Sequence, residues 1–249
     1  MSKFPDFIII GSMKCGTTAM WRNMNNHPCI TMCNNVDDPK KTSTEIRFWT
    51  DSSPHYNFKK GIEWYKNLFR GECCGEKDAD LIRSKEAMRL ISMYIPDVKL
   101  ILTVRNPVDR AFSEYNMSIG QDISKFKQIM NKRKKGFWDR GEYYDRIEKN
   151  VLPFFSSKQI FVSVFERMKA DPNKELNRVY DFLGIDHIEM PVEKVKFEKR
   201  DGKVDGYRNW GSNYKPIDGD ARKQLLSEYE DANNKLFNFL GYSIDEWSE

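Results

Sequence analysis

Near the start of the chain, Gly11 to Thr18 read GSMKCGTT and follow the apolar run FIII directly. Two glycines with four residues between them, after an apolar run and before a helix-compatible segment, form the frame of a phosphate-cradling loop. The glycines allow close backbone approach. The helix that follows offers N–H groups and its dipole to an anion, so Thr17 and Thr18 stand where a phosphate would rest. A nucleoside triphosphatase would carry lysine directly after the second glycine, but here that position is Thr17 and the lysine is Lys14, inside the loop. A second apolar run, Val98 to Val104, ends at Arg105, where a magnesium-dependent enzyme would need a carboxylate for its metal. Arginine there makes an anion site instead of a metal site, because its guanidinium is a fixed cation with a fork of donors. Ser113, two helical turns on, is placed to add a hydroxyl. The pattern implies a nucleotide with two separate phosphate groups and no metal.

The elements that must position these residues alternate between strand and helix. Phe7 to Ile10, Val98 to Val104 and Gln159 to Phe165 are continuous apolar runs of the kind that form buried parallel strands. Thr17 to Asn25 reads as a helix stopped by His27-Pro28. VDRAFSEYNM follows Asn106-Pro107, and NKELNRVYDFLG follows Asp171-Pro172, with Leu176, Val179, Tyr180 and Leu183 on one face and Gly184 as the stop. Ala221 to Gly241 reads as one last periodic segment. This order predicts a single α/β domain over residues 1–249, with a central parallel sheet flanked by helices. Thr31 to Tyr56 and Phe197 to Gly219 read as polar, aromatic-bearing loops over the carboxyl edge of the sheet, where such folds bind ligands. The basic block Lys125 to Arg140 reads as a solvated helix face.

Composition bounds the rest. The chain has 249 residues, 31% of them charged, and its net charge of +4 is too mild to argue for a nucleic-acid binder. It does suit an anionic ligand. No apolar run approaches the ~20 residues of a membrane span. The expectation is a cytoplasmic protein with neither nucleic acid nor membrane as partner. The cysteines, 5 in number, show no metal-ligand spacing and read as reduced thiols, most of them packing groups.

The chain resembles the sulfotransferases that use 3′-phosphoadenosine 5′-phosphosulfate, and among them the heparan-sulfate type and its small bacterial relatives more than the phenol and steroid type. The resemblance runs through IIIGSMKCGTTAM, TEIRFW, GIEWY, GEKDADL, KLILTVRNPVDRAFSEY, RGEYYDRIEKNVLPFF, ERMKADPNKELNRVYDFLG and NKLFNFLGYSIDEW. It implies that Ser12, Met13, Lys14, Cys15, Gly16, Thr17 and Thr18 form the 5′-phosphosulfate loop, with Lys14 at the transferring group. It implies that Arg105 and Ser113 hold the 3′-phosphate, that Glu45 is the catalytic base and that Lys77 is the lysine of the family's Glu-Lys segment. The spent cofactor would be adenosine 3′,5′-bisphosphate. None of His27, His55 or His187 sits in a histidine-base motif, and His27 reads as a structural cap.

One stretch departs from the family. A Lys-Gly-Arg cofactor lid is expected, but RNWGSNYKP places Gly211, Ser212 and Asn213 there, with Arg208 as an upstream source of charge and Trp210 or Tyr207 as a stacking surface for adenine.

The expected acceptor is the hydroxyl of a small polar metabolite or natural product, with an amine or carbamoyl nitrogen and a heparan-like glycan as alternatives. Competing classes are a P-loop kinase or ATPase, a nucleic-acid module built on Lys125 to Arg140, and a silent nucleotide-binding scaffold. Oligomeric state is left open.

Overall fold

The computed structural model describes residues 3–34, 44–50, 57–120, 122–189, 217 and 219–248. The chain runs β1 (Phe7–Gly11), α1 (Thr17–Met24), β2 (Ile30–Met32), α2 (Ile62–Lys66), β3 (Cys73–Lys77), α3 (Lys85–Tyr94) and β4 (Lys99–Val104). It continues through α4 (Pro107–Ser118), α5 (Ile123–Asn131), α6 (Tyr143–Arg146), β5 (Ile160–Val164), α7 (Phe165–Ala170), α8 (Pro172–Leu183), α9 (Gly219–Ser227) and α10 (Glu230–Leu240). The five-stranded sheet has the order β2-β3-β1-β4-β5, and all its pairings are parallel.

Strand periodicity explains why β1 is apolar throughout. Ile8 and Ile10 face a core shared with Ala87, Met88 and Ile91 of α3, whereas Phe7 and Ile9 face Met20 and Met24 of α1 and Leu176 and Val179 of α8. A sheet covered on both faces leaves no position for a polar residue unless it is paired. A third cluster joins α4, α5 and α9 through Phe112, Phe126, Met130, Trp138, Leu225 and Tyr229.

The caps are those the sequence announces. Asn106 accepts from the N–H groups of Val108 and Asp109 at the start of α4, and Asp171 accepts from that of Lys174 at the start of α8. Each is followed by proline in the first turn, and α8 stops at Gly184 in the left-handed conformation.

Three features differ from the sequence reading. The Ala221 to Gly241 segment is two helices, α9 and α10, because Tyr229 is pinned between them: its ring stacks on Trp138 at 4.1 Å and its hydroxyl donates to the Trp138 carbonyl at 3.0 Å. The loop expected from Thr31 begins with the edge strand β2, held to β3 in the register Thr31 to Cys74. The basic block is helical only to Asn131, and although most of its charges are exposed, Arg140 is three-quarters or more buried among acidic partners.

β1 lies at the point where the chain changes direction across the sheet. From it the chain first fills one side with β2 and β3, then crosses to β4 and β5 on the other. In open parallel sheets such a point opens a crevice beyond the carboxyl ends of the strands. Gly11, Lys77 and Arg105 all lie at that end.

Candidate active site

The loop after β1 is tied to β4. Ser12 donates its N–H to the Thr103 carbonyl at 2.9 Å, and the Thr103 hydroxyl donates to the Gly11 carbonyl at 2.9 Å. Cys15 N–H then closes a turn on the Ser12 carbonyl at 3.1 Å. Gly16 caps α1 with φ 83 and ψ 16, a conformation that L side chains adopt only under strain, and no side chain caps the helix. The N–H groups of the first turn therefore face the space the loop encloses. Thr17 is buried there and Thr18 is half-buried. Met13 is half-buried inside the turn, and Ser12 and Cys15 are buried at its two ends. Lys14 has φ 70, and its Nζ lies 3.5 Å from Met117 Sδ on α4. Burial and then the neighbouring Arg105 hold the Lys14 ammonium below its ordinary pKa.

Arg105 sits at the end of β4 with its guanidinium 4.6 Å above the Phe165 ring. It reaches the Lys14 carbonyl through Nη1 at 3.4 Å, while its Nε is buried without a hydrogen-bond partner among the described residues. Buried polar groups in native proteins are nearly always paired, so a stacked guanidinium with an unused donor is poised for an anion. Ser113 is half-buried on α4, the helix that begins directly after Arg105.

The third component comes from β3 and the segment around Glu45. Lys77 is buried, its side chain 3% exposed, and its Nζ lies 3.0 Å from Glu45 Oε1 and 3.3 Å from Thr18 Oγ1. Glu45 Oε1 also accepts the Ala79 N–H at 3.3 Å, and Oε2 accepts from Arg47 Nε at 3.3 Å and Nη2 at 3.2 Å. Burial pushes the Glu45 carboxyl up, but Lys77, Arg47 and the Ala79 N–H outweigh it and hold the group below its ordinary pKa, so it is ionised at neutral pH. The segment is anchored by Asn57, whose side chain donates to the Ile46 carbonyl at 2.8 Å. Phe48 and Trp49 pack on Tyr65 at 4.4 and 5.1 Å, which is why TEIRFW and GIEWY occur together.

Several contributors went unread in the sequence. Glu76, next to Lys77 but on the opposite face of β3, accepts hydrogen bonds from the Tyr65 hydroxyl and from Trp49 Nε1, and burial pushes it up to about 8. An alternating Glu-Lys-Asp run between apolar segments was the available signal. A line of alternating charges, Arg110, Glu114, Arg140 and Asp80, connects α4 to the segment following β3 that carries Ala79. His27 is structural as expected: Nδ1 accepts the Cys29 N–H at 3.2 Å, which leaves Nε2 to donate to the Asp186 carbonyl at 3.0 Å. His187 pairs with Asp181 on the surface. Arg208, Trp210, Ser212, Asn213, Tyr207 and His55 lie outside the described residues. Among the described residues no group of His, Cys, Asp and Glu is arranged to hold a metal ion, and no helix is long and apolar enough to cross a membrane.

Comparison with known proteins agrees with this geometry. The chain is 28% identical over 280 residues to the mouse bifunctional heparan sulfate N-deacetylase/N-sulfotransferase 4, covering 98% of this chain and 31% of that protein. It is 30% identical over 268 residues to the human heparan sulfate glucosamine 3-O-sulfotransferase 3B1, covering 97% and 65%. The chain thus spans about a third and about two thirds of these two relatives. Among solved structures, a sulfotransferase from Alicyclobacillus acidocaldarius shares the fold with TM-score 0.72 at 21% identity, over 98% of this chain and 99% of that one. The mouse sulfotransferase SULT7A1, solved in complex with PAP, shares it with TM-score 0.54 at 16% identity, over 95% and 85%. The family profile described as Sulfotransferase domain matches residues 4–228, and with the phosphate-type loop, the arginine at the end of β4 and the Glu45–Lys77 pair around one crevice, the chain belongs to the sulfotransferase family of enzymes.

Proposed function

We propose that this enzyme moves the sulfuryl group of 3′-phosphoadenosine 5′-phosphosulfate to a hydroxyl of a small polar metabolite or natural product. The observation that carries the reading is the position of Lys77, whose one ammonium touches both Thr18 of the phosphate-type loop and the carboxylate of Glu45. It joins an anion site to a base.

The residues fit the donor. The uncapped start of α1 suits the 5′-phosphosulfate, and the unspent Nε of Arg105 suits a 3′-phosphate. The donor supplies a sulfur whose bond to the bridging phosphate oxygen breaks as its bond to the acceptor oxygen forms. Negative charge grows on the bridging oxygen, so a Lys14 ammonium turned from Met117 into the loop stabilises the transition state more than the ground state. Glu45 takes the acceptor proton, a role worth about 10²–10⁴ in rate. In the resting site Lys77 and Arg47 depress its basicity. An anion on the loop competes with Glu45 for Lys77, so the carboxylate becomes a stronger base once the loop is filled.

A glycan acceptor is the second reading, supported by the heparan sulfate in the names of the two relatives. The donor assignment is tested by thermal shift. Adenosine 3′,5′-bisphosphate should raise the melting temperature by mass action, and ATP with magnesium should not. The reverse pattern would return the protein to the kinases.

A further inference from the structure

Tyr143, the first residue of α6, is buried beneath the site and takes no part in the chemistry above. Its hydroxyl donates to the Arg105 carbonyl at 2.6 Å and accepts the Arg105 N–H at 3.2 Å. The same oxygen lies 3.4 Å from Cys15 Sγ, in the loop after β1. A phenol has one donor and two acceptor positions, so these three contacts use its whole capacity. Burial pushes the Cys15 thiol up to about 11 and carries the phenol well above its usual range, so both stay protonated and the thiol remains a donor. The ring is fixed from behind by Trp247 at 5.9 Å, and Trp247 in turn donates to Glu166, whose other oxygen holds the Asn106 N–H at 3.0 Å.

We infer that Tyr143 is a positioning residue that sets the spacing between the two phosphate sites, and through it the preference for a nucleotide phosphorylated at both the 3′ and 5′ positions. The inference rests on the proposed reading of Arg105 as the 3′-phosphate ligand. Gripping the N–H and the carbonyl of one residue, which lie on the two peptide units flanking its Cα, fixes where the Arg105 side chain leaves the backbone. Touching Cys15 with the same atom refers that position to the loop. Among the described residues Arg105 has little other restraint on its side chain, since its guanidinium makes one long hydrogen bond and one ring contact.

The test is Tyr143→Phe, which removes only the hydroxyl, with titration calorimetry against adenosine 3′,5′-bisphosphate and adenosine 5′-phosphate. Affinity for the bisphosphate should fall about tenfold or more, and affinity for the monophosphate less than about threefold. In an Arg105→Ala background the same change should cost almost nothing further, because both substitutions remove one interaction. A merely structural tyrosine would weaken both nucleotides equally and add in full to Arg105→Ala; either result, or an unchanged preference, overturns the inference alone. A native enzyme that binds the two nucleotides equally would overturn the reading of Arg105 and the inference with it. If Tyr143→Phe does not fold, Cys15→Ala removes the loop end of the bridge and should lower the preference by about two- to threefold. An unchanged ratio there is equally fatal.

Discussion

Replacing Glu45 by glutamine separates the chemistry from the electrostatics of the site. Glutamine keeps an acceptor for Lys77 and for the Ala79 N–H but removes the charge that faces an ammonium only 3% exposed. Leaving one partner of a buried pair uncompensated costs about 3–5 kcal/mol. The Glu45 side chain is 18% exposed, so water screens part of the interaction and about 2–3 kcal/mol is the better expectation. For a domain of this size that lowers the melting temperature by about 4–12 °C. Turnover should fall by about 10²-fold or more through loss of the base. The affinity for adenosine 3′,5′-bisphosphate should hold or rise, because Lys77 keeps its contact with Thr18 and no longer has a carboxylate to share its charge. The stabilisation given by that ligand should grow accordingly. Adding Lys77→Met should recover part of the lost stability while leaving turnover low. Calorimetric melting with and without ligand, beside steady-state rates on a working acceptor, reads all of this. Near-native turnover in Glu45→Gln would refute the assignment of the base, and an unchanged melting temperature would refute the electrostatic argument.

Further expectations concern the two cations and the buried carboxyl. Arg105→Ala should weaken the bisphosphate on the order of 10–100-fold, as expected for charged hydrogen bonds, with the melting temperature of the unliganded enzyme nearly unchanged; unchanged affinity by calorimetry would remove Arg105 from the site. Lys14→Ala should lower kcat by about 10²–10³ and bisphosphate affinity by less than tenfold, whereas equal losses in both would mean an anchor only. Glu76 binds a proton in the folded protein up to about pH 8, and the unfolded chain loses its own near the ordinary carboxyl value, so this group makes stability fall as pH rises between the two. Glu76→Gln should flatten that fall and be more stable than the native protein at pH 8.5, measured by urea unfolding across pH 5–9; parallel curves would contradict it.

What the sequence made legible follows from which residues the sheet buries. β1, β4 and β5 stood out because both of their faces are covered and their side chains are apolar. β3 did not, although it is equally buried, because CCGEK carries Glu76 into an aromatic pocket and Lys77 into the site. That polar composition hid the strand. Gly75 deepened the disguise: a Cβ there would lie 2.2 Å from the Phe7 ring, so the sheet needs glycine where β-propensity would ask for a side chain. The loop was readable because an apolar strand, two spaced glycines and a Thr pair before a helix stand next to one another in the sequence. Glu45 was not, since a glutamate in a polar segment has no periodicity to mark it, and only the resemblance singled it out. The contact of Lys77 with Thr18, 59 residues away, and the grip of Tyr143 on Arg105, 38 residues away, are products of topology that no local pattern records.

The strand order has a consequence for the direction of the reaction. β3, β1 and β4 are neighbours, and strands lie about 4.8 Å apart, so Lys77, the loop and Arg105 follow one another along a line of about 10 Å across the sheet edge. On the proposed reading, a ligand laid along that line meets the acceptor side at β3, the breaking bond at β1 and the ribose phosphate at β4. The group therefore migrates sideways across the sheet, from the middle strand toward β3. Reversing that heading would require exchanging β3 and β4 about β1. With α1 and α3 kept on their present faces, the exchange would make the crossovers left-handed, which twisted strands of L-residues very rarely allow. On that reading the heading of sulfuryl migration is inherited from backbone chirality, and loops can change the acceptor without being able to turn it around.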